Sequence, residues 1–202
     1  MNFIYKIYLY LVIILLISHT GMAQNKNHFE RGNIGAEYGI WKPISLDDNQ
    51  TKPFKNIEGA GPYYGVSVTS PTLQSLALRF SYNYWKQTGL EEQAELEYVS
   101  LRHLSIELKN YILTQSRICP YVNYGVAVIW SREVPVGSDK VKIPLDRAGF
   151  GINVGAGANI YLFSNWALAV EYFYLYARFA DKVGLTDNYS GPKLSCKLNF
   201  LF

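Results

Sequence analysis

From Gly32 to Phe202 the chain alternates large apolar residues with small or polar ones, and this two-residue period restricts its fold more than any other feature. Successive side chains of a strand point to opposite faces, so a period of two makes a sheet with two unlike surfaces. The clearest stretch is 148–162. There Phe150, Ile152, Val154, Ala156, Ala158 and Ile160 alternate with Gly149, Gly151, Asn153, Gly155, Gly157 and Asn159. Seven more stretches follow the rule, at 32–41, 61–69, 75–85, 96–113, 120–130, 166–179 and 190–202. The fourth changes phase near Leu101, which predicts a β-bulge there. The pattern predicts an all-β fold, an eight-stranded antiparallel up-and-down barrel.

The connections alternate in length. Those at 70–74, 114–118 and 163–165 are short; those at 42–60, 86–95, 131–147 and 180–189 are long and collect Pro, Gly, Asp, Asn and Lys. Such residues favour exposed loops and turns. Short turns at one end and long loops at the other are the habit of transmembrane barrels. Both ends of the alternating region fall on the short-turn side.

The two faces indicate what surrounds the barrel. One is rich in Gly, Ala, Ser and Asn with a few charges, which suits the narrow interior of eight strands. A water-facing surface would hold far more Lys and Glu. A secreted lipocalin-like binding protein is the soluble alternative, and Gly39-x-Trp41 echoes its Gly-x-Trp signature. That fold packs a C-terminal helix on the barrel, where this pattern has a strand. Aromatics are abundant, with Tyr alone occurring 17 times. Running the odd strands toward the long loops puts Tyr64, Tyr82, Tyr84, Trp130, Phe150, Tyr174 and Tyr176 near that rim. Tyr161, Trp166, Phe200 and Phe202 come near the other. Two such girdles would set amphipathic rings at the headgroup levels of a bilayer.

The first residues read differently. Lys6 precedes an apolar run from Ile7 to Ile17, and Gly21 and Ala23 provide small residues for cleavage. This is the layout of a secretory signal peptide, and the run is shorter than the roughly 20 residues of a spanning helix. The expected organisation is a signal peptide at 1–23, a short periplasmic segment at 24–31 and a barrel at 32–202.

The stretch Lys193-Leu-Ser-Cys-Lys-Leu-Asn-Phe-Leu-Phe202 resembles the C-terminal strand of bacterial outer-membrane proteins. Leu194, Leu198, Phe200 and the terminal Phe202 carry the likeness. In strand number and turn pattern, the region resembles the small OmpA/OmpX-type barrels. The resemblance implies residence in the outer membrane of a Gram-negative-type bacterium, with cleavage near Ala23. It implies outer-membrane lipids as surroundings and the barrel-assembly machinery as a partner in biogenesis, reading Leu198, Phe200 and Phe202. A monomer is the expected state.

Chemistry-bearing residues are few. The net charge of +3 lacks the strong basic excess of a nucleic-acid binder. The narrow face collects Glu37, Arg79, Glu107, Lys109, Glu171, Lys193 and Lys197. Strand order predicts Glu37 and Glu171 flanking Lys197, and Arg79 facing Glu107. Buried charges have to pair, so these residues are expected to plug the lumen; a narrow channel for small solutes or ions is the alternative. After the leader only His28 and His103 remain. His103-Leu-Ser105 is similar to the His-x-Ser of PagL-type lipid A deacylases, a lipid-modifying alternative. Ile106 stands where that family has Asn, and Arg117 where it has Glu, so no catalytic residue is assigned. Cys119 and Cys196 fall on non-neighbouring strands and fit no metal spacing. No metal or cofactor is expected. The loop Val134–Pro144 mixes β-branched residues with Lys and offers an edge to an extracellular ligand. The expected role is therefore structural or surface-interacting, through the external loops.

Overall fold

A computed structural model describes residues 31–44, 60–73, 75–90, 96–112, 116–135 and 145–202. The signal-peptide and N-terminal readings at 1–30, His28, and most of the Val134–Pro144 loop lie outside the described residues. The strands are β1 (Asn33–Trp41), β2 (Gly61–Leu73), β3 (Leu76–Leu90), β4 (Leu96–Tyr111), β5 (Ile118–Pro135), β6 (Leu145–Phe163), β7 (Trp166–Val183), β8 (Thr186–Asn188) and β9 (Gly191–Leu201).

All neighbours pair antiparallel, in the order β6-β5-β4-β3-β2-β1-β9-β7, and β6 pairs with β7 to close the ring. Eight long strands thus form a barrel without open edges along its wall. The three-residue β8 lies against the far end of β7. The last strand is pinned at the short-turn end. Phe202 N donates to Gly32 O at 3.0 Å, and Leu201 N to Asn165 O at 2.8 Å. Arg31 adds Nη1 to Ser164 O at 2.7 Å and Nη2 to Leu201 O at 3.1 Å.

Strands run further than their alternation. Past Trp130↔Ala148, β5 and β6 continue pairing through Ser131↔Arg147, Arg132↔Asp146 and Glu133↔Leu145. On the other side of the ring β1 and β9 pair up to Trp41↔Lys193, and backbone bonds continue from Lys42 N to Pro192 O at 3.1 Å and from Ile44 N to Ser190 O at 2.8 Å. The bulge predicted at Leu101 is not there. Pairing is continuous through Leu101↔Trp85 and Leu101↔Ser131, and the register shifts between Leu96 and Tyr98 instead. Leu101 breaks the polar pattern of its face because it packs in an apolar part of the interior.

The interior is layered. At the long-loop end Trp41, Tyr63, Trp85, Val99, Leu101, Ile129, Phe173, Leu175, Phe179 and Tyr189 form one apolar cluster. At the short-turn end Ala77, Tyr111, Cys119, Tyr121, Tyr161, Ala167 and Leu201 form another. Charged and polar side chains fill the space between. Two glycines show how so much bulk fits. Gly125 is paired with Glu107, and a Cβ there would come within 2.7 Å of the Glu107 Cα. Gly155 is paired with Phe173, whose own Cβ occupies the space a side chain would need. Each large side chain lies over a bare backbone on the next strand.

Candidate functional site

All seven charged residues named from the sequence face the lumen, none more than 5% exposed. The strand period fixes their facing, and the register fixes their neighbours. Glu37 and Lys197 are paired positions on β1 and β9, and Lys197 Nζ lies 3.1 Å from Glu37 Oε2. The same ammonium lies 3.3 Å from Glu171 Oε2 on β7. Arg79 and Glu107 are paired on β3 and β4, with Arg79 Nε donating to Glu107 Oε2 at 2.9 Å.

Three features go beyond the charge pairs expected between neighbouring strands. Arg79 Nη1 also reaches across the lumen from β3 to Glu171 on β7. Lys109 Nζ approaches Glu171 Oε1 at 3.5 Å and stacks 3.7 Å from the Tyr121 ring centroid. Neutral donors complete the carboxylates. Glu107 Oε1 accepts from Ser105 Oγ at 2.7 Å and Asn153 Nδ2 at 3.3 Å, while its Oε2 accepts from Asn123 Nδ2 at 3.1 Å. Tyr63 OH donates to Glu37 Oε1 at 2.7 Å, and Tyr121 OH donates to Glu171. Glu171 is thus the hub, held by Arg79, Lys109, Lys197 and Tyr121. Multiple charge-assisted donors of this kind are what a fully buried carboxylate requires.

Lys193 stands apart. Among the described residues no carboxylate lies within 4.0 Å of it. Its Nζ sits 4.0 Å from the Tyr63 ring centroid, 4.9 Å from Phe173 and 5.4 Å from Trp41, and 3.5 Å from His103 Nε2. It marks the boundary between the charged layer and the aromatic one. Above it Trp41 and Trp85 meet edge to face at 5.2 Å, and Trp85 meets Tyr189 at 6.1 Å. Burial among these rings holds the Tyr189 phenol above its usual range.

Side-chain direction also bears on the acyl-hydrolase motif. His103 and Ser105 both point into the lumen, buried to 3% and 0% exposure. His103 Nε2 meets Asn83 Nδ2 at 3.0 Å, and Ser105 Oγ meets Ser81 Oγ at 2.6 Å. Neither touches the outer wall, where a membrane lipid would lie. Cys119 is buried on the inside and Cys196 is exposed on the outside, so the wall separates them. Among the described residues no three His, Cys, Asp or Glu side chains converge as metal ligands would.

The outer wall is the inverse of a soluble surface. Val66, Phe80, Ile106, Val126 and Val154 are exposed along its middle. Toward the long loops Tyr64, Tyr82, Trp130, Phe150, Tyr174 and Tyr176 face outward, and Tyr84 lies half-buried with its ring 5.5 Å from that of Tyr64. At the other rim Trp166 and Phe200 pair at 5.2 Å, and Phe202 is exposed. Tyr161 is a correction: it faces inward at 4% exposure. Ile160 pairs outward-facing Ile118, so the period turns the next residue into the lumen. A lipocalin-like barrel would show the opposite arrangement, with its apolar side chains inside.

Solved structures share this fold. The N-terminal β-barrel domain of Pseudomonas aeruginosa OprF aligns with a TM-score of 0.51 at 17% identity, covering 85% of this chain and 98% of that one. Neisserial surface protein A aligns at 0.55 and 17% identity, covering 85% and 96%. The Pseudomonas aeruginosa outer membrane protein OprG aligns at 0.57 and 14% identity, covering 86% and 96%. The fold is that of the small eight-stranded outer-membrane barrels. The barrel is consistent in strand number and pairing with the OmpA/OmpX-type group. No protein-family model and no curated protein matches the sequence.

Proposed function

We propose that the chain is an outer-membrane barrel with a structural or surface-interaction role and a lumen sealed by its own side chains. The observation that carries the reading is the inverted wall, with aliphatic residues exposed outside and seven charges held inside. Water does not tolerate so continuous an apolar surface, whereas lipid does.

The seal is supported by the layering. Ion pairs cross the lumen at the level of Glu171, and packed rings lie above them. The cavity at the short-turn mouth, lined by Asn33, Thr69, Tyr111 and Asn199 among others, has a volume of about 10 Å³. That is room for about one water. A surface role is supported by the wall along β3–β6, where paired backbone continues beyond the aromatic rim. Loops on a rigid scaffold are where binding work concentrates.

Membrane fractionation combined with gel mobility before and after boiling tests the reading. The expected result is recovery in the outer-membrane fraction and a band that shifts on heating. Recovery of folded protein in a soluble fraction overturns it.

A further inference from the structure

Two neighbouring rows of the wall carry an unbalanced set of cations. In one row Lys86, Ser100, Arg132 and Asp146 stand side by side on β3, β4, β5 and β6. The next row toward the short-turn end holds Tyr84, Arg102, Trp130 and Ala148. Val99 and Leu101 belong to the inner apolar cluster, so Ser100 between them turns outward. Lys86, Arg102 and Arg132 are exposed on that same face. Ser100 is nonetheless only 2% exposed. Lys86 is held on one side of the group, its Nζ 3.8 Å from the Tyr98 ring centroid.

Three cations therefore surround one serine. With strands about 4.8 Å apart and same-face residues about 6.8 Å apart along a strand, their backbones fall within about 10 Å of one another. Long side chains can converge from there on one phosphate, which Arg binds through paired N–H groups. Arg147 offers a contrast, since it lies 3.5 Å from Glu133 and 3.7 Å from Asp181. Among the described residues Lys86, Arg102 and Arg132 have no carboxylate within 4.0 Å, although Asp146 ends the row beside Arg132. Tyr84 and Trp130 share the row of Arg102, and such rings sit at headgroup depth.

We infer that Lys86, Arg102 and Arg132 form a binding site for the phosphate headgroup of an anionic membrane lipid on the β3–β5 side of the barrel. The inference rests on the outer-membrane reading above. The full chain and its K86Q/R102Q/R132Q variant are inserted into phosphatidylcholine vesicles carrying a minor share of phosphatidic acid. Native mass spectrometry of the extracted protein then measures retained phosphatidic acid. Wild type is expected to retain it, and the triple variant to retain less by more than about tenfold, since each basic residue near a charged headgroup contributes about 1 kcal/mol. Arg102→Gln alone is expected to lose about fivefold on the same basis. Arg178→Gln, on β7 two strands beyond Arg132, is expected to match wild type. Equal retention by inserted wild type and both site variants overturns the site. Complete displacement by excess inorganic phosphate marks a simple anion pocket and overturns the lipid assignment. A wild type that does not insert overturns the barrel reading itself, and the site with it.

Discussion

The middle of the lumen and its long-loop end share one strand phase yet solve the packing problem in opposite ways. Along β3 the inward residues are Ala77, Arg79, Ser81, Asn83 and Trp85, passing from small to charged to polar to aromatic. The middle layer needs every partner, because each charge there has lost its water. The end layer is governed mainly by volume and shape, and it leaves the buried Trp41 and Trp85 indole N–H groups without a hydrogen-bond partner. The difference teaches that facing and environment are separate properties: the period of two sets the first and leaves the second open.

The largest expected effect comes from removing the hub of the charged layer. Glu171→Ala leaves Arg79, Lys109 and Lys197 without their shared carboxylate. Breaking buried pairs in this way costs about 3–5 kcal/mol. Urea unfolding of the refolded barrel in lipid checks this, and an unchanged midpoint would remove the distinction between the layers. In the end layer Leu101→Ala is expected to cost about 2–5 kcal/mol by leaving a cavity. The outward Leu104→Ala on the same strand serves as its control. Equal losses at the two sites would mean that Leu101 does not pack inside. The smallest effect is expected at the boundary. Lys193→Met replaces an ammonium lacking a carboxylate neighbour among the described residues by an apolar chain of similar length beside Tyr63 and Phe173. Its stability is expected to stay within about 1 kcal/mol of wild type. A loss like that of Glu171→Ala would put Lys193 in the charged network.

These contrasts also explain what was legible in the sequence. Alternation and loop rhythm carry the eight long strands, because a period of two needs no tertiary information. The register puts Glu37 beside Lys197 and Arg79 beside Glu107, and adjacent strands suffice for that. The Arg79–Glu171 contact was not legible, because β3 and β7 meet only across the lumen, at a distance set by barrel closure. The phase change at Leu101 implies a bulge only where the interior is polar at every height, and here it is apolar. Tyr161 read as a girdle residue because its ring type outweighed its phase. Only the shape of the lumen shows that it has an aromatic lid and a second aromatic floor. Outside the wall, Lys86, Arg102 and Arg132 lie far apart in sequence, and only strand pairing brings them together.

The sealed lumen is the central claim, and conductance tests it most directly. Purified, refolded full-length protein is added to a planar bilayer and current is recorded at constant voltage. A lumen sealed as proposed, by the ion pairs at Glu171 and the rings packed above them, gives a silent membrane or brief irregular events. Steady large-conductance steps of uniform size would contradict it.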